Sequence, residues 1–336
     1  MKQISIIIFS LSLRAKGYNN YGSFKVTGEK NFIQSISTEL QFSLDIGANV
    51  GNYSKLLIEE TNSYIFAFEP LDGAFDNLNK LVIEHPNRIE AFKLAKDSQN
   101  PKDIDPGKYE VVLGPEAVST ILVFLGVYGF NARSKIEGTS PIQMNSQQFD
   151  EKLTLIDDPH RDKSLGFKID ASGAPKKTLE IVKDGVPKSL FHTRRTAKEL
   201  NEENTFHELF GWGDSFGGIG TNIYLNPGSS TKEDMISAVE RGIYINEFWY
   251  CRVLDPITQV VTGLNRNGSF LIENGKITKP VGRLRFTQSF IASLAVGNVI
   301  SLGSESRFAD SEFGEGILNV PMLHLKEFNF TGGVSG

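Results

Sequence analysis

Between Phe42 and residue 94 short apolar runs alternate with helical periodicity, and no other feature of the chain restricts its fold as strongly. Phe42–Ile46 is apolar and stops at glycines. Residues 53–60 are helix formers, with Tyr53, Leu56 and Leu57 facing one way. Tyr64–Phe68 is a second apolar run ending at Glu69-Pro70, residues 74–83 place Phe75, Leu78 and Val82 on one helical face, and residues 89–94 form a third short run. Apolar positions three and four apart mark helices, and short β-type runs bounded by turn residues mark strands. The order β-α-β-α-β is the start of a parallel, doubly wound sheet, a half-Rossmann unit.

From Asp97 the texture changes. Residues 97–107 are polar and turn-forming and read as a linker. Residues 116–128 read as one helix. Beyond them lie many short β-type runs, such as 248–253, 269–273 and 322–330, separated by Gly, Asn, Asp and Pro. Asn274-Gly275 is a hairpin signal, because both central positions of a type I′ turn need positive φ. The 24 phenylalanines against 2 tryptophans, with 32 glycines, point to β-rich packing with tight turns. The expected fold class is α/β plus α+β: a half-Rossmann domain over residues 1–96, then a larger α+β domain rich in antiparallel strands over 97–336.

Charge and cysteine usage exclude several functions. With 35 basic and 40 acidic residues the net charge is −5, which gives no global attraction to nucleic acid or to an anionic membrane. One cysteine, Cys251, excludes a disulfide framework and any multi-cysteine zinc or iron–sulfur site. Residues 4–13 are mostly apolar but too short to span a bilayer, which takes roughly 20 residues. No small-x-small cleavage site follows them. They read as a buried strand or an amphipathic entry segment, with the cytoplasm as the compartment.

The stretch DIGANVGNYS at 45–54 is a strand end, a glycine-rich turn and a helix start. Gly47 and Gly51 let the backbone turn sharply and approach a ligand, and the helix start offers unpaired N–H groups. Glu69, ending the next strand, is placed to accept from both hydroxyls of a ribose. Asp45 would lie near the methionine amino group of S-adenosylmethionine. With Thr27-Gly28-Glu29 upstream and FAFEP at 66–70, residues 17–95 resemble the FkbM-type S-adenosylmethionine-dependent methyltransferases. That resemblance implies cofactor binding by Asp45, Gly47, Asn49, Gly51 and Glu69. It then stops: the family's later Lys-Ile-Asp-x-Glu-Gly segment has only Lys168-Ile169-Asp170-Ala171-Ser172-Gly173 as a counterpart, without the Glu. The implied segment is truncated, lacks an acceptor pocket and is not expected to transfer methyl groups.

The remainder, from about Pro106, resembles the C-terminal region of the TldD/PmbA (TldE) metallopeptidase-like family. The stretches that carry this are YEVVLGPEAV at 109–118, LIDDP at 155–159, FKIDASGAP at 167–175, GTNIYLNPG at 220–228, RGIYI at 241–245, FLIENGKI at 270–277 and VPML at 320–323. Active members hold zinc with a helical HExxxH motif and a downstream cysteine. The histidines share a helical face, and the Glu acts as general base on metal-bound water. Here the corresponding helix reads AVSTILVFLGVYGF at 117–130, with no His and no carboxylate after Glu116. The departure resembles the PmbA side of the family, which lacks the motif and partners an active TldD subunit.

Other candidates read as structural. His207-Glu208 starts like a zincin motif, but no second histidine follows and nearby glycines oppose a helix, so it reads as an exposed loop pair. Cys251 reads as a packed apolar side chain between aromatics. Asp157-Asp158 reads either as a cation site or as a turn before Pro159, and the turn is the favoured reading. Lys176-Lys177 and Arg194-Arg195 read as solvated surface. The glycine-rich stretch 211–220 fits a mobile substrate loop or a bulge-rich connection equally. The leading expectation is a peptidase-associated subunit with no catalytic residues and no metal, fused to a partial S-adenosylmethionine-binding segment. A TldD-like catalytic chain or a second copy would be its partner and a peptide its substrate. Two alternatives stand beside it: an FkbM-like O-methyltransferase using the later chain as acceptor domain, and a non-enzymatic or chimeric chain with no joint function.

Overall fold

A computed structural model describes residues 29–69, 72–92, 101–162, 164, 166–213, 215–312 and 318–333. The apolar run 4–13, Thr27-Gly28, Pro70 and the first part of the expected linker lie outside them. The chain divides into two compact units, one within residues 1–99 and the other within 100–336.

The first unit holds α1 (Glu29–Ile36), β1 (Phe42–Ile46), α2 (Asn52–Glu60), β2 (Tyr64–Phe68), α3 (Asp72–Glu84) and β3 (Ile89–Phe92). The three strands are parallel in the order β1-β2-β3. Side chains alternate across a strand, so Ile65, Ala67 and Ile89 turn to a core shared with Leu56, Leu57, Leu78 and Leu81 of the helices. The opposite side of β1 carries Phe42, Leu44 and Ile46, all exposed.

The second unit runs β4 (Gly107–Leu113), α4 (Pro115–Phe124), a π-helical turn (Leu125–Phe130), α5 (Ala132–Ile136), β5 (Leu155–Asp157), β6 (Leu179–Lys183), β7 (Val186–Pro187), α6 (Arg194–Leu200) and β8 (Ile223–Leu225). It continues through α7 (Lys232–Ser237), β9 (Arg241–Asp255), β10 (Val260–Glu273), β11 (Lys276–Pro280), β12 (Leu284–Ser289), α8 (Phe290–Ser293), β13 (Val299–Ala309) and β14 (Leu318–Gly333). The sheet is mixed and mostly antiparallel, in the order β11-β10-β9-β4-β14-β8-β5-β6-β7. Strand β12 pairs with both β10 and β14, which closes β10, β9, β4, β14 and β12 into a ring. Closure removes sheet edges and gives inward side chains a common interior. Phe248, Phe286 and Phe328 fill that interior with ring centroids 4.6–5.4 Å apart. Gly263 is required there, since a Cβ on it would stand 2.6 Å from Phe286 Cζ and 2.8 Å from Cys251 Sγ.

Several expectations meet the structure directly. Asn274 (φ +51°) and Gly275 (φ +73°) form the two-residue turn between β10 and β11. Cys251 is buried in β9. The single helix expected over 116–128 is instead α4 followed by the π-turn. The described end of the expected linker is tied down: Lys102 donates its amide to Pro280 O at 2.8 Å and accepts from Gly282 N at 3.1 Å.

Candidate functional site

Helix α4 starts where its sequence requires. Pro115 sits in its first turn behind Gly114, and Glu116 lies near the positive helix end. Gly114 packs on β9, where a Cβ would stand 3.0 Å from Asn246 O. The helix carries no imidazole. Glu116 is paired with Arg307 at 2.7 Å, and Thr120 Oγ1 accepts from the Glu312 amide at 3.2 Å. The unit's interior histidines point to other partners: His192 to Glu202 at 3.0 Å, His324 to Glu110 at 2.7 Å and His207 to Asp157 at 3.4 Å. Among the described residues no group of three or more His, Cys, Asp or Glu could hold a metal ion. These residues do not fit a hydrolytic zinc.

What the second unit does assemble is a buried polar cluster at the end of β5. Three readings are corrected here. Asp157 is not a turn residue but a fully buried strand end. Lys176 is not solvated: its side chain is 2% exposed and its Nζ lies 3.0 Å from Asp157 Oδ1. His207 is not an exposed loop residue but is buried beside Phe191, with ring centroids 4.9 Å apart. The segment Gly220-Thr221-Asn222 completes the cluster. Asp157 Oδ2 accepts from the amides of Thr221 (2.8 Å) and Asn222 (2.9 Å), and Lys176 Nζ donates to Thr221 Oγ1 at 2.9 Å. A Cβ on Gly220 would fall 2.3 Å from Ile223 Cδ1 and 2.7 Å from Phe191 Cζ, so any side chain there would push these neighbours aside. Arg194 and Arg195 are exposed, as expected.

Burial and charge oppose each other in this cluster. Burial alone would raise the Asp157 carboxyl. His207, the Lys176 ammonium and the Asn222 amide outweigh it and hold the group far below the ordinary carboxylate range. Burial lowers Lys176 against the pull of Asp157. Burial also lowers His207, helped by repulsion from Lys176 and opposed by Asp157. At 3.4 Å the His207–Asp157 approach is an electrostatic contact at the outer limit of a hydrogen bond. The cluster is therefore a charged clamp holding four separate chain segments together.

Beside the clamp opens a cavity of about 580 Å³. Leu122 of α4 with Gly126 and Val127 of the π-turn form one wall. Phe167, Phe210, Trp212 and Phe216 form another, and Thr221 contributes from the clamp. From the glycine-rich stretch, Trp212, Phe216, Ile219 and Gly220 line this cavity. Of the clamp residues, Asp157 lies within LIDDP and Thr221 and Asn222 within GTNIYLNPG, whereas Lys176 directly follows FKIDASGAP and His207 falls in none of the family-like stretches. Nothing local marked them as buried.

In the first unit the five expected cofactor residues come together where β1 and β2 end. Asp45 is buried and accepts from Ser54 Oγ at 2.5 Å. Gly47 has φ +79° and donates its amide to Phe68 O at 2.9 Å, with nothing within 4 Å of where a Cβ would be. Asn49, at φ +51°, donates its amide to Glu69 Oε2 at 2.7 Å. Gly51, at φ +85°, precedes α2 and lies against Leu78. Glu69 is buried and donates its own amide to Phe92 O at 3.0 Å. The turn leaves room for a ligand beside Gly47, but the Glu69 carboxylate is already bound into that turn, so a ribose would have to share it.

Comparison with known proteins places the larger unit. Residues 106–332 match the PmbA/TldA metallopeptidase C-terminal domain. A metalloprotease of Methanothermobacter thermautotrophicus is 26% identical over 260 residues, covering 74% of this chain and 54% of that protein. One from Methanocaldococcus jannaschii is 27% identical over 230 residues, covering 64% and 46%. The crystal structure of TldE from Thermococcus kodakarensis superposes with a TM-score of 0.61 at 18% identity, covering 69% of this chain and 52% of that one. Together they define a metallopeptidase-type α+β unit. The chain belongs to the PmbA/TldD metallopeptidase family, and it spans about half the length of the curated relatives it matches.

Proposed function

We propose that the second unit is a non-catalytic subunit of a peptidase assembly, handling peptide beside a TldD-like catalytic chain or as a homodimer. One observation carries the reading: α4 presents Glu116, tied to Arg307, but no imidazole, and the interior histidines of the unit are each directed at a carboxylate elsewhere. The test combines metal analysis with peptide hydrolysis. Purified chain should hold less than stoichiometric zinc and cleave no peptide alone, yet change the rate of a catalytic relative mixed with it. Stoichiometric zinc with zinc-dependent hydrolysis by the chain alone would overturn the reading.

A second reading concerns the first unit, where Gly47 leaves open space at the head of a helix. It binds S-adenosylmethionine through Asp45, Gly47, Asn49, Gly51 and Glu69 without transferring the methyl group. Isothermal titration should show heat with S-adenosylmethionine that Gly47→Asp removes. No heat with the unmutated chain ends this reading.

A further inference from the structure

We propose that the cavity beside the π-turn is a binding site for one bulky apolar side chain, aromatic or branched aliphatic, carried on an extended peptide segment. The choice of a peptide rests on the reading of this unit as a peptide-handling subunit. The cavity and its walls rest on geometry alone.

Three features point the same way. First, helix π-turns are uncommon and gather at functional sites, and this one places Gly126 in the cavity wall. Gly126 has no positive φ, and a Cβ there would meet only Phe191 Cε2, at 3.9 Å. Neither backbone conformation nor close packing calls for glycine, which costs stability in a helical turn. What its missing side chain provides is open volume. Second, the facing wall leaves large rings partly uncovered: Phe167 is 54%, Phe210 48% and Trp212 60% exposed. They pair as Phe167–Phe210 at 5.2 Å and Trp212–Phe216 at 4.7 Å. Among the described residues no charged side chain lines the cavity. Its volume of about 580 Å³ lies within the usual range for ligand pockets and exceeds a single side chain, leaving room for adjoining backbone.

Third, the largely apolar lining includes the hydroxyl residue Thr221. Thr221 Oγ1 accepts from Lys176 Nζ and, at 3.3 Å, from Asn222 Nδ2. Two donors occupy the oxygen, so the hydroxyl proton is left to donate. The clamp behind it fixes the oxygen, and a peptide carbonyl is the acceptor it suits. A pocket that buries an apolar body and offers one hydrogen bond selects by side-chain size, with little demand on the rest of the peptide.

The test uses the full chain carrying Trp249→Phe, which leaves Trp212 as the only tryptophan. Two blocked pentapeptides are titrated, one with a central phenylalanine between glycines and one with serine in its place. The phenylalanine peptide should change Trp212 fluorescence saturably and bind at least tenfold more tightly than the serine peptide. Gly126→Leu, which fills the cavity, should weaken it at least tenfold with unchanged circular dichroism. Phe210→Ser, at an exposed ring, should weaken it in the same direction and covers the case in which Gly126→Leu fails to fold. Equal affinity for the two peptides, or indifference to both variants, overturns the proposal. So does binding of toluene with none of the phenylalanine peptide, which would assign the cavity to free apolar molecules. Stimulation of a catalytic relative is scored separately. If stimulation survives while peptide binding is absent, the pocket is removed and the subunit reading stands; if peptide binding survives without stimulation, the pocket stands and the subunit reading falls.

Discussion

Phenylalanine is used in opposite ways by the two units. In the first, Phe42 stands on the edge strand of a three-stranded parallel sheet, 64% exposed, alongside Leu44 and Ile46. In the second, Phe248, Phe286 and Phe328 are wholly buried inside the five-strand ring. The residue type and the strand setting are the same; closure differs. An open sheet buries only the face its helices cover, here the side of Ile65 and Ala67. A closed one encloses its inner face without help from helices. Phenylalanine content therefore announces β-rich packing, but topology decides which rings contribute to stability.

The largest effects should come from inside the ring and the clamp. Phe286→Ala removes a ring packed on Phe248, Phe290 and Phe328, and large-to-small core changes of this kind cost about 3–5 kcal/mol. Both tryptophans, Trp212 and Trp249, belong to the second unit, so tryptophan-monitored denaturation reads that unit alone. A loss under about 1 kcal/mol would mean the ring interior is not a single packed core. Lys176→Met should act on a similar scale. It leaves the buried Asp157 carboxylate without its cation, and breaking a buried pair from one side costs roughly 3–5 kcal/mol. A neutral outcome would show that the amides of Thr221 and Asn222 suffice to hold the charge.

How much of this was legible follows from sequence distance. Strands β1 and β2 were readable to the residue, because each apolar run ends at a local stop, Gly47 or Glu69-Pro70. The β10–β11 turn was equally local, written in Asn274-Gly275. The clamp was not, because the pair Lys176-Lys177 reads as surface until the partners of Lys176 are known. Those partners lie far off: Thr221 is 45 residues from Lys176 and 64 from Asp157. Ring closure through β12 and β14 and the change from α4 to a π-turn are likewise set by tertiary packing. The turn at Asp45 to Gly51 was legible as backbone shape, while the engagement of Glu69 by the Asn49 amide was not.

A smaller effect separates the clamp from an ordinary ion pair through pH. Burial holds His207 below its usual value of 6.5, with Lys176 adding to the shift and Asp157 opposing it; burial also lowers His192 against Glu202. As pH falls through about 6.5 the unfolded chain takes up protons that the folded unit refuses. The unfolded state then binds more protons, so stability is full above that pH and declines as pH drops toward the lower folded values. Denaturation midpoints should fall between pH 7.5 and pH 5.5, and His207→Gln should flatten the slope by one residue's share while His192 keeps the rest. An unchanged slope would mean that His207 takes up its proton as readily in the fold as in the unfolded chain, so that burial and Lys176 no longer outweigh Asp157.

The smallest expected effect is the counterpart of Phe286→Ala in the open sheet. Phe42→Ala removes an equal ring, but one already mostly in water, whose described aromatic neighbour is Phe66 at 6.1 Å. Burial energy scales with the area taken from water, and surface changes of this sort fall within about 0.5 kcal/mol. Tryptophan fluorescence would not register it, since the first unit has no tryptophan; circular dichroism or hydrogen exchange at β1 and β2 would. A loss approaching that of Phe286→Ala would mean that the exposed face of β1 is covered in solution, by chain outside the described residues or by a second molecule. In that event the contrast between an open and a closed sheet would fail as an account of where this protein keeps its phenylalanines.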